Sequence, residues 1–199
     1  PMEWLGDRLI ILDQTKLARE TVYLETSRYQ DVVSAIKELK VRGAPAIGVA
    51  GAYGVALGAL EIKAKSRESF LEKLQVVIQT IAAARPTARN LFYAVERMSR
   101  RVGTKPGKGV AELKNALVNE AVKIHRDEEE GTRKLSEYGA GLIKDGFTIL
   151  THCNTGPLAT TGYGTALGVI IRAREQGKMC KVIATETRPL LQGARLPAW

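Results

Sequence analysis

Apolar residues change their spacing along the chain and mark out two kinds of structure. Residues 8–12, RLIIL, form a short apolar run, and residues 20–26, ETVYLET, alternate apolar and polar positions. Both patterns predict strands, which together make a hairpin-like entry. From Ser27 the period lengthens. Val32, Val33, Ile36 and Leu39 recur at helical spacing, which predicts an amphipathic helix over about 30–40. In VRGAPAIGVAGAYGVALGALEI, Gly43 and Pro45 mark a turn, and the run after them reads as a helix despite its glycines. Ala46, Ala50, Gly54 and Gly58 stand four apart and share one face, where small residues let another backbone approach closely. Each glycine costs a helix roughly 1 kcal/mol relative to alanine, and close packing is the simplest compensation.

The pattern continues with a helix over 67–83, carrying Phe70, Leu71, Leu74, Val77, Ile78 and Ile81 on its apolar side. Arg85-Pro86 ends it, because the residue before proline avoids the helical region. Thr87 is placed to cap a helix over about 88–101. Gly103–Gly109, GTKPGKG, reads as a basic loop, and a long helical stretch follows over about 110–143. Gly131 predicts a bend or break in it, and Gly146 lies just past its end. Then the texture changes. FTILTH reads as a strand, about 158–176 as a helix and KVIATE (181–186) as a second strand. Strand, helix, strand is a βαβ unit, which implies a parallel sheet. The predicted class is therefore α/β: a mainly helical domain over 1–145 with short N-terminal strands, then over 146–199 the first βαβ of a Rossmann-like parallel sheet domain.

Composition narrows the setting. Apolar residues make up 45% of the 199, enough for a sizeable core. No run of about 20 uninterrupted apolar residues appears, so no membrane span is expected. The opening PMEWLGDRLIILDQ is mixed and charged, unlike a signal peptide. Two cysteines far apart suggest no disulfide framework, and the expected setting is reduced and cytoplasmic. The net charge of +9 raises nucleic acid as a partner. Against that, the basic residues alternate with acids, as in EIKAKSRESFLEKL and RDEEEGTRKLSE, the pattern of solvated helix faces. With only 6% aromatics, nucleic-acid binding is not expected. A basic pocket for a phosphorylated metabolite accounts for part of the charge equally well.

Candidate chemistry gathers where the predicted strands end. In open α/β sheets ligands bind beyond the carboxyl ends of the strands. Cys153 and Asn154 follow the first strand, and Glu186, Thr187 and Arg188 follow the second. Between strand and helix, GPLATTGYGTALG offers glycines, amides and hydroxyls that could cradle a phosphate, although it matches neither the dinucleotide fingerprint nor the P-loop. A free cysteine is most often a small buried hydrophobe. At a strand's carboxyl end and near a helix N-terminus it can instead serve as nucleophile or acid/base. His152 falls on the opposite face from Cys153, which argues against a Cys-His dyad, and Cys180 reads as structural. Two lone cysteines and two lone histidines do not make a zinc site. Arg42, Arg85, Arg188 and Arg195 each lie beside a turn residue, and arginine's planar fork suits phosphate.

Taken together, VRGAPAIGVAGAYGVALGA, RPTARN, THCNTGPLATTGYGTALGVI and ETRPLLQGARLPAW resemble, in this order, the motifs of the methylthioribose-1-phosphate isomerase family. The resemblance runs from LIILDQTKL to Trp199. That family shares its fold with archaeal ribose-1,5-bisphosphate isomerase and with regulatory subunits of a translation initiation factor's exchange complex. The resemblance implies conversion of 5-methylthioribose 1-phosphate to the ketose 5-methylthioribulose 1-phosphate in methionine salvage, without metal or organic cofactor. It implies Cys153 as the catalytic thiol and Arg42, Gly43, Ala44, Arg85 and Gln192 as substrate-binding residues. It also implies a second catalytic residue, an aspartate in a GADR-type segment, followed by an asparagine-lysine pair. Both come after the QGAR stretch and have no counterpart in the 199 residues, and Pro197 stands where the family usually has threonine. The chain therefore reads as the first half of such an isomerase, expected to need a homodimer partner or the completing half. Two other readings stand beside it: ribose-1,5-bisphosphate isomerase, and a non-catalytic regulatory subunit of the exchange-complex type.

Overall fold

The computed structural model describes residues 1–103 and 109–198. The chain opens with three short antiparallel strands, β1 (Met2–Trp4), β2 (Leu9–Leu12) and β3 (Tyr23–Thr26), in that order across the sheet. β2 sits in the middle, with Leu9 opposite Thr26 and Ile11 opposite Met2 and Leu24. Its Leu9 and Ile11 are fully buried and anchor the sheet to the helices. Sequence patterning missed β1, because three residues are too few to show alternation. Helix α1 (Tyr29–Lys37) starts where Thr26 Oγ1 accepts from the Arg28 N–H at 3.0 Å and donates to Asp31 at 2.7 Å. It stops earlier than its apolar spacing predicts, because Leu39 adopts a left-handed backbone with φ of 61°.

The helix α2 (Ala44–Glu61) runs through the centre, wrapped by α1, α3 (Arg67–Ala82), α4 (Arg89–Gly103) and α5 (Val110–Leu142). Every residue of α2 from Ala46 to Ala59 is buried. The predicted single face of small residues is thus only part of the arrangement. Gly54 and Gly58 meet Ile81 and Val77 of α3, while Gly48 and Gly51 meet Asn90 and Leu91 of α4. Glycines on two sides let two helices close in on the same rod. By length and a mean hydropathy of 1.3, α2 is the one helix among the described residues that could cross a membrane, yet 78% of it is buried inside the fold. Lys114 of α5 closes its end, donating to the carbonyls of Leu60 and Ile62 at 3.0 and 2.7 Å. Ser66 caps α3 by accepting from the Ser69 N–H at 3.2 Å.

The predicted break at Gly131 does not occur, and α5 continues through it to Leu142. Ion pairs bracket the position: Arg133 reaches Glu130 at 2.9 Å and Glu137 at 2.6 Å. Of the basic loop expected over 103–109, Gly103 ends α4, Gly109 precedes α5, and residues 104–108 lie outside the described residues.

The last quarter forms the expected parallel pair, β4 (Thr148–Thr151) and β5 (Lys181–Ala184), with Thr148 opposite Lys181 and Thr151 opposite Ala184. The crossover helix α6 (Ala166–Glu175) begins later than predicted. Residues 157–159 form a short 3-10 turn instead, and Thr160 Oγ1 accepts from the N–H groups of Gly162 and Gly164 at 3.2 and 3.1 Å. That is loop chemistry, with threonine satisfying amides that a helix would otherwise engage. The unit packs on the second half of α5 through Ala140, Ile143 and Ala173, so α5 contributes to two clusters of buried side chains. A third cluster, Leu12, Leu17, Leu158 and Leu196, ties the N-terminal sheet to the end of the chain, where α7 (Gln192–Arg195) lies.

Candidate active site

Four segments distant in sequence converge on one pocket of about 500 Å³. The first brings Arg42, Gly43, Ala44 and Ile47, at the start of α2. The second brings Arg85 and the residues from Thr87 to Asn90, at the start of α4. The third brings Cys153 and Asn154 from the end of β4, and Gln192 of α7 completes the wall. All six residues that the family resemblance implied for the site, Cys153, Arg42, Gly43, Ala44, Arg85 and Gln192, therefore line a single cavity, together with Asn154.

Backbone geometry explains the convergence at Gly43. Its φ is 91°, a left-handed value that glycine adopts freely. A Cβ there would also collide with the backbone of Ala159, in the turn that follows Cys153. Only glycine lets the start of α2 and the cysteine loop touch. Gln14 reinforces the joint: its buried side chain donates to the Leu158 carbonyl at 2.8 Å, and its N–H donates to the Lys40 carbonyl at 3.0 Å.

The electrostatics suit an anion. Arg42, Arg85 and Arg89 line the pocket, and among the described residues no aspartate or glutamate does. Burial, and after it the nearby positive charges of Arg195 and Arg85, lowers the pKa of Arg42, although the cysteine nearby works the other way. A guanidinium held among like charges is relieved by a bound anion. Two helices, α2 and α4, also begin at this wall, and neither has an acidic residue in its first turn. Their unpaired N–H groups and positive dipole ends face the same space.

Cys153 lies two residues past the end of β4 and is half-buried. Its φ of 63° is uncommon for a residue with a side chain, and such strained positions cluster at functional sites. The turn is held by a 2.9 Å hydrogen bond between the Thr151 and Thr155 hydroxyls. His152 turns away and pairs through Nδ1 with the Thr185 hydroxyl at 2.5 Å, joining the ends of β4 and β5. That agrees with the expectation of no Cys-His dyad. Cys180 packs against Ala140, Ile143 and Ala173, as a structural cysteine should.

Other sequence candidates do not join the pocket. Arg195 donates to the carbonyls of Leu17, Leu190, Gln14 and Thr15 at 2.8 to 3.1 Å, which makes it a structural pin. Arg188 does not line the cavity. Glu186 accepts from the N–H groups of Thr187, Gly193 and Ala194 at 2.8, 2.7 and 3.0 Å, and these bonds lower its pKa. It caps α7. Conversely, Arg89 and Asn90 were not singled out. Their signal was present in RPTARN, where a helix opens directly behind Arg85-Pro86, so that its first turn must face wherever Arg85 points.

The sequence profile of the Initiation factor 2 subunit family matches residues 40–199. The chain belongs to this family. Among curated relatives, a methylthioribose-1-phosphate isomerase of Dehalococcoides mccartyi is 59% identical over 197 residues, covering 99% of this chain and 59% of the relative. Among solved structures, 5-methylthioribose 1-phosphate isomerase from Pyrococcus horikoshii OT3 superposes with a TM-score of 0.92 at 38% identity, covering 100% of this chain and 55% of that one. The translation initiation factor eIF-2B subunit delta from A. fulgidus superposes with a TM-score of 0.87 at 45% identity, covering 100% and 57%. The chain thus spans under two thirds of the length of each of these relatives.

Proposed function

We propose that the protein is an aldose-ketose isomerase that converts 5-methylthioribose 1-phosphate to 5-methylthioribulose 1-phosphate in methionine salvage. The observation that carries this reading is the meeting of Arg42, Arg85 and Arg89 with Cys153 in one cavity. The D. mccartyi and P. horikoshii relatives, named for this isomerisation, support it. In this proposal Arg42 and Arg85, with the first turns of α2 and α4, seat the phosphate. Charge-assisted bonds of this kind are about twice as strong as neutral ones. The phosphate on C1 prevents the sugar from opening to a free aldehyde, so opening the ring needs a proton for the ring oxygen. The Cys153 thiol is placed to supply or exchange protons at the reacting carbons. Aldose and ketose are isomers: one hydrogen moves from C2 to C1, the 2-hydroxyl loses a proton as C2 becomes the carbonyl, the ring oxygen gains one, and no oxidant or reductant is consumed.

A division into a helical body over 1–145 and a Rossmann-like body from 146 onward suits a site built at the joint. A homodimer partner or a completing half is part of the proposal as well. Leu150 and Ile183 of the parallel pair are 67% and 46% exposed, which supports a covering surface. A reduced, cytoplasmic setting suits the free thiols of Cys153 and Cys180. The likeness to an initiation factor subunit at 45% identity supports a second reading, a non-catalytic regulatory subunit. Three pocket arginines also suit a doubly phosphorylated sugar such as ribose 1,5-bisphosphate.

The test is ketose formation from each sugar phosphate, followed by NMR, beside a Cys153→Ala variant. Turnover of the methylthioribose compound that falls by about a hundredfold or more in the variant is expected. Turnover of ribose 1,5-bisphosphate alone would reassign the substrate. Binding without turnover of either sugar would favour the regulatory reading.

A further inference from the structure

We infer that Asn154 is a substrate-contacting residue, with its side-chain amide holding the sugar while the arginines hold the phosphate. This rests on the sugar-phosphate reading of the pocket. Asn154 lines the cavity next to Cys153. Its Oδ1 and Nδ2 are both closed off from bulk water, and neither has a hydrogen-bond partner among the described residues. Buried side-chain amides are nearly always satisfied, so one with both atoms unpaired calls for a specific explanation. The turn itself is fixed, so the amide can find a partner only by rotating its side chain toward the cavity that it lines. On one side the Thr151 and Thr155 hydroxyls bridge the turn at 2.9 Å. On the other, the Thr155 carbonyl accepts from the N–H of Thr165 at 2.8 Å and of Leu167 at 3.3 Å. A partner arriving through the cavity is the one left.

The chemistry of that partner follows from the amide. One carboxamide donates through nitrogen and accepts through oxygen, a pairing that matches a hydroxyl beside another hydroxyl or a carbonyl. Adjacent oxygens of this kind are what a sugar offers, and the phosphate dianion of a sugar phosphate lacks the donor. Gln192, across the cavity, repeats the feature: its Oε1 is also buried and unpartnered. The dianion of a phosphate monoester only accepts hydrogen bonds and cannot satisfy a free carbonyl oxygen. Two unpaired amide oxygens at one cavity therefore point to a ligand with hydroxyl donors as well as a phosphate.

The experiment compares Asn154→Ala and Asn154→Asp with the unaltered protein. Calorimetry measures binding of 5-methylthioribose 1-phosphate and of inorganic phosphate, and melting temperature is recorded in parallel. Asn154→Ala is expected to weaken sugar-phosphate binding about tenfold. Phosphate binding should stay within about twofold. Its melting temperature should equal or exceed that of the unaltered protein, because an unpaired buried amide has been removed. Asn154→Asp should weaken both ligands, since it sets a carboxylate beside the phosphate. Unchanged sugar binding in both variants would overturn the inference. So would an equal loss of both ligands in Asn154→Ala, with or without a lower melting temperature, as that marks a structural role. If the unaltered protein binds the sugar phosphate without isomerising it, only the catalytic reading fails and Asn154 is still decided by binding. If it does not bind the sugar phosphate at all, both fall together.

Discussion

His125 shows how one side chain ties stability to pH. It lies on α5 with Nδ1 2.8 Å from the hydroxyl of Tyr53, a fully buried residue of α2, and its ring meets the Tyr53 ring edge-on. Burial lowers its pKa from the usual 6.5 and outweighs the pull of Glu129. The unfolded chain therefore takes up the proton first as pH falls. Stability tied to neutral His125 is fully present above about pH 6.5 and is lost as pH drops through the lower folded-state value. Thermal melts at about pH 7.5 and about pH 5.5 should show this loss. It should shrink in His125→Gln, which keeps a neutral partner for Tyr53. Equal acid sensitivity in both proteins would place the titration elsewhere. Cys153 and Gly43 carry the residue-scale argument at the pocket, each through a left-handed backbone that the amino-acid code shows only for glycine.

At the scale of elements, the two kinds of helical glycine should respond oppositely to a methyl group. A Cβ at Gly58 would run into Val77 of α3, which is buried and β-branched with little rotamer freedom. Alanine gains roughly 1 kcal/mol of helix propensity there. Overpacking costs about 1–3 kcal/mol, so Gly58→Ala should be destabilised by about 1 kcal/mol net. At Gly131 nothing lies within 4 Å of a Cβ. Gly131→Ala should therefore gain about 1 kcal/mol with no opposing cost. Urea unfolding midpoints of the pair check both signs. Two stabilised variants would mean that α2 and α3 pack less tightly than they are placed here. Helix α5 also shows why Gly131 misled the sequence reading: a local weakness is visible in the code, but the ion pairs spanning it depend on the helix already existing.

Across the whole molecule, Arg195 joins the end of the chain to its beginning. Its four bonds to backbone carbonyls span 178 to 181 positions of sequence for those to Leu17, Gln14 and Thr15. Hydrogen bonds to a charged group contribute about 1.5–3 kcal/mol, so Arg195→Ala should lose stability of that order. Since α7 carries Gln192 to the pocket wall, sugar-phosphate affinity should fall too. Arg195→Lys should not restore it, because one ammonium cannot serve carbonyls arranged for a planar fork. Denaturant unfolding and calorimetry read the two effects. Full affinity in Arg195→Ala would show that α7 holds its place without this pin.

The elements themselves were legible because their causes are local. Apolar runs, alternation, helical spacing and turn or cap residues pointed to β2, β3, α1, α3, α4, α5 and the strand–helix–strand order of the last quarter. The motifs around Arg42, Arg85, Cys153 and Gln192 pointed to a phosphorylated ligand before any fold was in view. What sequence alone left open is long-range. Position beside a turn could not separate Arg85, which lines the pocket, from Arg195, consumed by carbonyls; only the family resemblance named one and not the other. Sequence could not show that α2 is wrapped on all sides, or that the loop after β4 stays a loop until Ala166. Local propensity acts between neighbours in the chain, whereas burial, charge crowding at Arg42 and the unpaired amide of Asn154 exist only when distant segments share one space.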